Sequence, residues 1–290
     1  MFISHYTDDV VAWAPAKVNL FLEVLGKRPD GYHEIATLMV ALRLFDTLVL
    51  RPAADLSLCS YDKKLSTGDD NLVLKAAKQL QARTNCEKGA AIRLVKRIPM
   101  AAGLAGGSTD GAATLAGLNR LWQLGLNANE LANIGAEIGS DIPFFFRTPA
   151  AWCTGRGEIV TPVNLPIPLH FVLVCPSFGM ATAAVYKNVV VPQEPISGDE
   201  IKTALMKGDV DLLGRLMHNR LQLAAQKIDG RLAAYADLLA KRKPAGSMMS
   251  GSGSTIFALC RSAAQAQALA ADVKSETKGQ EVRVFVTRSL

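Results

Sequence analysis

Four separated stretches of this sequence hold residues whose types and spacing could do chemistry. The first is Gly103-Leu104-Ala105-Gly106-Gly107-Ser108-Thr109, between an apolar run ending at Pro99 and a pattern in which Leu115, Leu118 and Trp122 recur at helical spacing. Small residues let backbone approach a ligand closely, and the first N–H groups of a helix have no partner inside it. A strand, loop and helix of this kind cradle an anion, phosphate in particular, with the Ser108 and Thr109 hydroxyls adding capacity. No lysine follows Gly107 as a Walker loop requires, the spacing is not G-x-G-x-x-G, and the protein-kinase signatures are missing. The same residues also describe an ordinary tight turn with Ser108 or Thr109 as N-cap.

The second stretch is Ala16 to Val24, where alternation puts Lys17, Asn19, Phe21 and Glu23 on one strand face. Lys17 and Asn19 are neighbours there, although a lysine at the start of a strand is ordinarily just solvated. The third is Tyr32-His33, directly after the turn chemistry of Lys27-Arg28-Pro29-Asp30-Gly31. A flat ring and a ring nitrogen suit a planar base, and they suit plain packing at a hairpin flank as well. The fourth is Asp141, a single carboxylate before Ile142-Pro143-Phe144-Phe145-Phe146, where it would be desolvated unless a cation or donors hold it, or where it caps the next turn. Lys96, close to the glycine loop, faces either phosphate or water. Asn71 reads first as a helix cap and second as a residue near a nucleotide.

The elements that must position these groups belong to a globular chain. Of 290 residues, 49% are apolar and 20% charged, a length that favours two domains over one. The net charge of +6 comes from scattered lysines and arginines with no basic run among aromatics, which argues against nucleic acid as partner. Five cysteines without C-x-x-C or zinc spacing read as buried thiols of a reducing compartment. The N-terminus lacks the order of a signal peptide and no apolar run reaches membrane-spanning length, so the expected location is cytoplasmic, with no membrane partner.

In chain order the patterns predict strands at 16–24, 35–42, 44–51 and 56–60, a helix at 72–83, and a strand at 91–98 leading into the glycine loop. A capping box at Asn127-Glu130 opens a helix ending at Gly139, and two short strands flank Gly155-Arg156-Gly157-Glu158. The proline-rich run 162–168 marks the domain boundary, giving domains 1–163 and 164–290. Beyond it a strand at 169–175 precedes helices at 183–189, 199–206, 210–226 and 231–241. The small-residue run Ser250-Gly251-Ser252-Gly253-Ser254 then leads to a strand at 255–260, a helix at 263–273 and a last strand at 281–287. Mixing without strict β-α-β alternation makes the class α+β.

Three segments in this order, Pro15-Ala16-Lys17-Val18-Asn19-Leu20, Pro99 through Ser108, and Ser250-Gly251-Ser252-Gly253, resemble the GHMP small-molecule kinase superfamily of galactokinase, homoserine kinase, mevalonate kinase and phosphomevalonate kinase. The string from Pro15 to Glu34, with Gly139 to Phe145, is similar to one branch, which acts on a cytidine diphosphate sugar-alcohol in non-mevalonate isoprenoid synthesis. The resemblance spans most of the chain. It implies a ribosomal-S5-like N-terminal domain that binds ATP, a ferredoxin-like C-terminal domain, and an active site in the cleft between them.

On that resemblance the run Pro99, Met100, Ala101, Ala102, Gly103, Leu104, Ala105, Gly106, Gly107, Ser108 and Thr109, with Asn71 and Lys96, holds ATP and its phosphates. Asn19, Tyr32, His33, Gly251, Ser252 and Gly253 bind the acceptor. Tyr186 lies where the branch carries an aromatic that stacks on the other face of the base, and stacking of this kind is worth about 1–3 kcal/mol. Lys17 and Asp141 handle the acceptor hydroxyl, Asp141 accepting or orienting its proton and Lys17 offsetting the developing negative charge in direct in-line transfer. Mg²⁺ accompanies ATP, with Ser108 as its one candidate contact in an otherwise unknown ligand set, and the protein is a monomer or weak homodimer. The loop departs from the family's glycine-richer pattern at Ala101, Ala102 and Ala105, where positive φ is costly, leaving open which amides touch phosphate. A kinase with a mevalonate- or sugar-type acceptor is the alternative, but such acceptors have no base for Tyr32, His33 and Tyr186. A non-catalytic nucleotide sensor would have no need of Lys17 and Asp141.

Overall fold

The structure is a computed structural model that describes residues 1–6, 8–147 and 149–290. The chain forms two compact units, each assembled from several stretches: Met1–Ala16, Leu44–Pro99 and Ala105–Thr148 in the first, Lys17–Arg43, Met100–Leu104 and Pro149–Leu290 in the second.

In the first unit β1 (Phe2–Tyr6), the start of β2 (Asp9–Lys27), the end of β3 (His33–Ala53), β4 (Leu56–Ser60) and β5 (Gly89–Val95) pair in the order β1-β2-β3-β5-β4. β5 runs antiparallel to β3, with Val95 opposite Thr47, and parallel to β4. Among the described residues the unit also holds the α-helices α1 (Leu72–Thr84), α2 (Gly106–Trp122) and α3 (Ala128–Ile138) and a short 3₁₀ helix, Pro143–Phe146. Asn71 caps α1 through a bond from Val73 N–H, and Asn127 with Glu130 forms the expected capping box of α3. α2 buries Ala112, Ala113, Leu115, Leu118 and Trp122 on the helical spacing that the sequence displays. It lies close to the sheet because residue 117 is glycine; a Cβ there would stand 2.8 Å from Leu50 Cδ1.

In the second unit the other halves of β2 and β3 flank a tight turn in which Arg28 N–H bonds Tyr32 O at 2.8 Å and Gly31 takes φ +85°. β6 (Ala150–Thr154) pairs with β3 and with β7 (Ile159–Pro162). A four-stranded antiparallel sheet has the order β10-β11-β8-β12, from β8 (His170–Pro176), β10 (Gly246–Met249), β11 (Ile256–Cys260) and β12 (Val282–Arg288). Val172, Val174, Ile256 and Ala258 of this sheet share a core with Leu232 and Leu239 of α8 (Arg231–Ala240) and Leu269 and Val273 of α9 (Ala263–Glu276). The remaining elements are α4 (Thr182–Lys187), α5 (Asp199–Lys207), α6 (Val210–Leu216), β9 (His218–Asn219) and α7 (Gln222–Ile228).

Several expectations are corrected. β2 begins at Asp9 rather than Ala16, because Val10, Ala12 and Ala14 continue the buried face through Pro15. β3 is one strand where two were expected; the side-chain pattern breaks at exposed Arg43 but the backbone does not. The helix expected over 210–226 is two helices separated by β9, and β10 was not anticipated. Cys59 is exposed and Cys86 half-buried, so only Cys153, Cys175 and Cys260 are buried thiols. Among the described residues no helix is long and apolar enough to cross a membrane.

Candidate active site

Lys17 lies on the second unit's part of β2 and is 4% exposed. Its ammonium donates to Asn19 Oδ1 at 2.7 Å, Asn19 Nδ2 donates to Thr37 Oγ1 at 2.7 Å, and Thr37 Oγ1 donates to Phe21 O at 2.6 Å. Alternation puts Lys17 and Asn19 on one face as expected, and Thr37 of neighbouring β3 fixes the asparagine amide, and through it the direction of the lysine. This is a buried, oriented cation rather than a solvated one.

Two small-residue loops meet this cation within the second unit. Gly251 takes φ +54°, and a Cβ on it would stand 3.1 Å from Lys17 Nζ, 3.2 Å from Gly103 O and 3.4 Å from Asn19 Oδ1. Ser250 Oγ donates to Gly103 O at 2.9 Å, Thr255 N–H bonds Ala102 O at 3.2 Å, and Lys17 N–H bonds Leu104 O at 3.2 Å. A Cβ at Gly103, with φ +73°, would fall 2.0 Å from Ser250 O. Residues 100–104 are therefore held between β2 and the Ser250–Ser254 run. Ser252 Oγ pairs with Thr182 Oγ1 at 2.9 Å, and Gly253 N–H bonds Ser250 O.

The chain enters the first unit at Ala105. Ala105 is the N-cap of α2 with φ +54° and no side-chain cap, and Ala101 has φ +50°. Ser108 and Thr109, the sequence candidates for the cap, lie inside the first turn instead, because alanine accepts the left-handed conformation here. Ala102 keeps ordinary φ. The first N–H groups of α2 lack intrahelical partners, and Gly107 leaves them uncovered on the exposed side. Thr109 is fully buried and points into the unit, so its hydroxyl is not presented to a ligand outside.

Lys96 also departs from expectation. Its side chain is 5% exposed, and its ammonium is shared between Asp46 and Asp110, the second at 2.7 Å. Asp46 Oδ1 also accepts from Arg97 N–H at 2.5 Å and Ile98 N–H at 2.9 Å. Lys96 is thus buried rather than turned to water, and it ties the end of β5 to Asp110 of α2. A Cβ on Gly106 would come within 3.1 Å of its Nζ, so glycine lets the ammonium lie against the helix start. Burial lowers the affinity of Lys96 for its proton, but the two carboxylates outweigh it and raise the pKa. Burial pushes the Asp110 carboxyl well above the ordinary carboxylate range, with the Asp46 charge adding to the effect against the pull of Lys96.

A second group of side chains in the second unit suits a planar ligand. His33 and Tyr186 stand in ring contact with centroids 5.2 Å apart at 32°, and the Arg156 guanidinium lies 4.8 Å from the centroid of the Tyr32 ring. Tyr186 therefore meets His33, and Tyr32 meets Arg156. Burial, and then the Lys27 charge, hold His33 below the usual imidazole pKa, so near neutral pH its ring keeps one donor and one acceptor nitrogen.

Asp141 lies in the first unit, half-buried, in the turn between α3 and the short 3₁₀ helix Pro143–Phe146. The N-cap of that helix is Ile142, directly after Asp141. Asn71 caps α1 and donates to Ser66 O, the commoner of its two expected roles. Sequence reasoning missed Asp46, Asp110, Thr37, Arg156 and Asn219. Asp46 carried a signal, being a carboxylate between Phe45 and an apolar strand end; Asn219 sat inside a stretch that reads as helix. Among the described residues no group of three or more His, Cys, Asp or Glu could hold a metal ion.

Residues 71–148 match the GHMP kinases N terminal domain and residues 201–279 the GHMP kinases C terminal domain. The 4-diphosphocytidyl-2-C-methyl-D-erythritol kinase of Geobacillus sp. (strain WCH70) is 43% identical over 249 residues, 85% of this chain and 86% of that protein. The protein of the same name from Brevibacillus brevis is 39% identical, covering 96% of this chain and 95% of its own length. A crystal structure of 4-(cytidine 5'-diphospho)-2C-methyl-D-erythritol kinase superposes with a TM-score of 0.79 at 30% identity, covering 97% of this chain and 99% of that one. A homoserine kinase from Cytophaga hutchinsonii shares the fold at a TM-score of 0.76 and 18% identity, covering 100% of this chain and 97% of that one. With this identity over nearly its whole length, the chain belongs to the 4-diphosphocytidyl-2-C-methyl-D-erythritol kinase family of the GHMP kinases.

Proposed function

We propose that this chain transfers the γ-phosphoryl group of ATP to the 2-hydroxyl of 4-diphosphocytidyl-2-C-methyl-D-erythritol, giving the 2-phosphate and ADP in the synthesis of isoprenoid precursors. Family membership supports the reaction, and the observation that carries the residue roles is the buried, oriented ammonium of Lys17 among Asn19, Gly251 and Thr37. Lys17 offsets the negative charge that develops as the acceptor oxygen meets the phosphorus, and Asp141 accepts or orients the hydroxyl proton. Because the transition state of phosphoryl transfer is loose, positioning and charge count for more than the basicity of the aspartate.

The open N–H groups at the start of α2 and the backbone of residues 99–105 receive the ATP phosphates, with Ser108 at their edge. Lys96 acts there from beneath the helix as a fixed charge. Mg²⁺ neutralises charge on the phosphates when bound. The absence of an acidic cluster among the described residues fits an ion carried mainly by phosphate oxygens and water, with the Ser108 hydroxyl as the protein's contact. His33 and Tyr186 hold the cytosine, the neutral imidazole offering a donor and an acceptor to its edge, while Tyr32 with Arg156 borders it.

A coupled ADP-release assay with the cytidine substrate tests this reading. Lys17→Ala and Asp141→Asn should each lower kcat by on the order of 10²–10⁴-fold. Near wild-type turnover in either variant would show the assigned chemistry to be wrong, and ADP release with mevalonate but not with the cytidine compound would overturn the substrate.

A further inference from the structure

The expected helix over 210–226 breaks at a segment whose side chains all find partners outside it. His218 and Asn219 pair in parallel with Phe21 and Leu22 of β2, and Arg220 N–H bonds Leu22 O at 2.8 Å. Arg220 makes a two-pronged ion pair, 2.7 Å in each prong, with Glu23, whose side chain is wholly buried. Glu23 lies on the same strand face as Lys17 and Asn19. The segment is thereby fixed to the strand that carries the catalytic ammonium.

From that anchorage Asn219 reaches the second small-residue loop. Its Nδ2 donates to Met249 O and to Gly251 O, each at 2.8 Å, and its Oδ1 accepts from Leu221 N–H at 2.9 Å. Both amide protons are committed to carbonyls two residues apart, on either side of Ser250. Gln222 Oε1 takes Met249 N–H at 2.8 Å. Gly251, whose carbonyl Asn219 holds, is the residue where a Cβ would fit only tightly among Lys17 Nζ, Asn19 Oδ1 and Gly103 O. An Asn amide suits this position because it is neutral, carries two donors at a fixed angle, and satisfies two carbonyls that a buried loop would otherwise leave unpaired.

We infer that Asn219 is a positioning residue for phosphoryl transfer: by clamping the carbonyls of Met249 and Gly251 it sets the wall against which Lys17 rests, and so fixes where the ammonium points. This rests on the proposed role of Lys17. The Asn219 amide is committed to Met249 O, Gly251 O and Leu221 N–H, with no donor left over for a ligand, so its loss should fall on kcat, with the KM for each substrate changing less than threefold.

A double-mutant cycle tests it. Asn219→Ala should lower kcat by about 10–100-fold, Asn219→Ser, which keeps one donor, by less, and Asn219→Ala in a Lys17→Met background by less than twofold more than Lys17→Met alone. Gln222→Leu removes a bond to the same strand without touching Gly251 and should change kcat less than threefold. Thermal melts identify variants that fail to fold, and if Asn219→Ala is one of them Asn219→Ser carries the cycle. Asn219→Asp should regain turnover as the pH falls, because only the protonated carboxyl can donate to a carbonyl. Multiplicative losses in the double variant, equal losses in Asn219→Ala and Gln222→Leu, or full turnover by the residue 219 variants would overturn the inference while leaving the role of Lys17 intact. Full turnover by Lys17→Met would instead remove the reading beneath it.

Discussion

At the scale of single residues, the site is built from charges taken out of water and given partners. Lys17 donates to the Asn19 amide oxygen, and Lys96 is shared between two carboxylates. An ammonium with two acid partners serves structure and field. Replacing Lys96 with Met strands two buried carboxylates and should cost about 3 kcal/mol in urea unfolding. Asp110→Asn keeps an acceptor for Lys96 and removes the carboxyl that burial already disfavours as an ion, so it should cost clearly less at neutral pH. Equal losses in the two variants would refute this division. The types of Lys17, Asp141, Tyr32 and His33 were legible in the sequence; the partners of Lys96 were not, because Asp46 lies 50 residues away.

At the scale of elements, two loops do their work through backbone rather than side chains, and their glycines are unequal. Gly103 has φ +73° and Ser250 O in the place a Cβ would take, so Gly103→Ala should destabilise by about 2 kcal/mol or more. Gly107 sits in the helix with only Leu72 Cδ1 at 3.4 Å, so Gly107→Ala should stabilise by about 0.5–1 kcal/mol through helix propensity. Thermal melts of the two variants read the opposite signs directly. Ala101 and Ala105 occupy the left-handed region where glycine is cheaper, so glycine at either should be tolerated in the same melts. The glycine loop and the helix after it were readable from small residues and helical spacing. The break at Met217 was not, since Val210 to Gln226 is apolar at helical spacing throughout and only long-range partners draw His218 to Arg220 out of the helix.

At the scale of the whole molecule, buried ionisable groups make stability depend on pH. Burial raises the pKa of Glu23, but Arg220 foremost, then the N–H groups of Ile196 and Val24 and the charge of His218, bring it below the usual carboxylate range. A carboxylate with a depressed folded-state pKa stabilises above its unfolded value, near about 4.3, and loses that contribution as pH falls through the folded value. Glu23→Gln should therefore melt well below wild type at pH 7, with the gap closing toward pH 3; a gap independent of pH would contradict the ion pair. Thiol titration offers a second check. Cys59 and Cys86 should react quickly with a disulfide reagent, whereas Cys175 and Cys260, pushed up to about 11 by burial, and buried Cys153 should react only on unfolding. By itself the sequence determined the α+β class, the glycine loop with its helix, and which strand carries the lysine, because these follow from spacing along the chain, while the kinase superfamily was legible only as a resemblance of three motifs. Only the tertiary structure decided that Lys96 turns inward to Asp46 and Asp110, that Tyr186 meets His33, and that Asn219 reaches Met249 and Gly251. Each of these depends on side chains finding partners from other elements of the chain, and periodicity holds no record of such pairings.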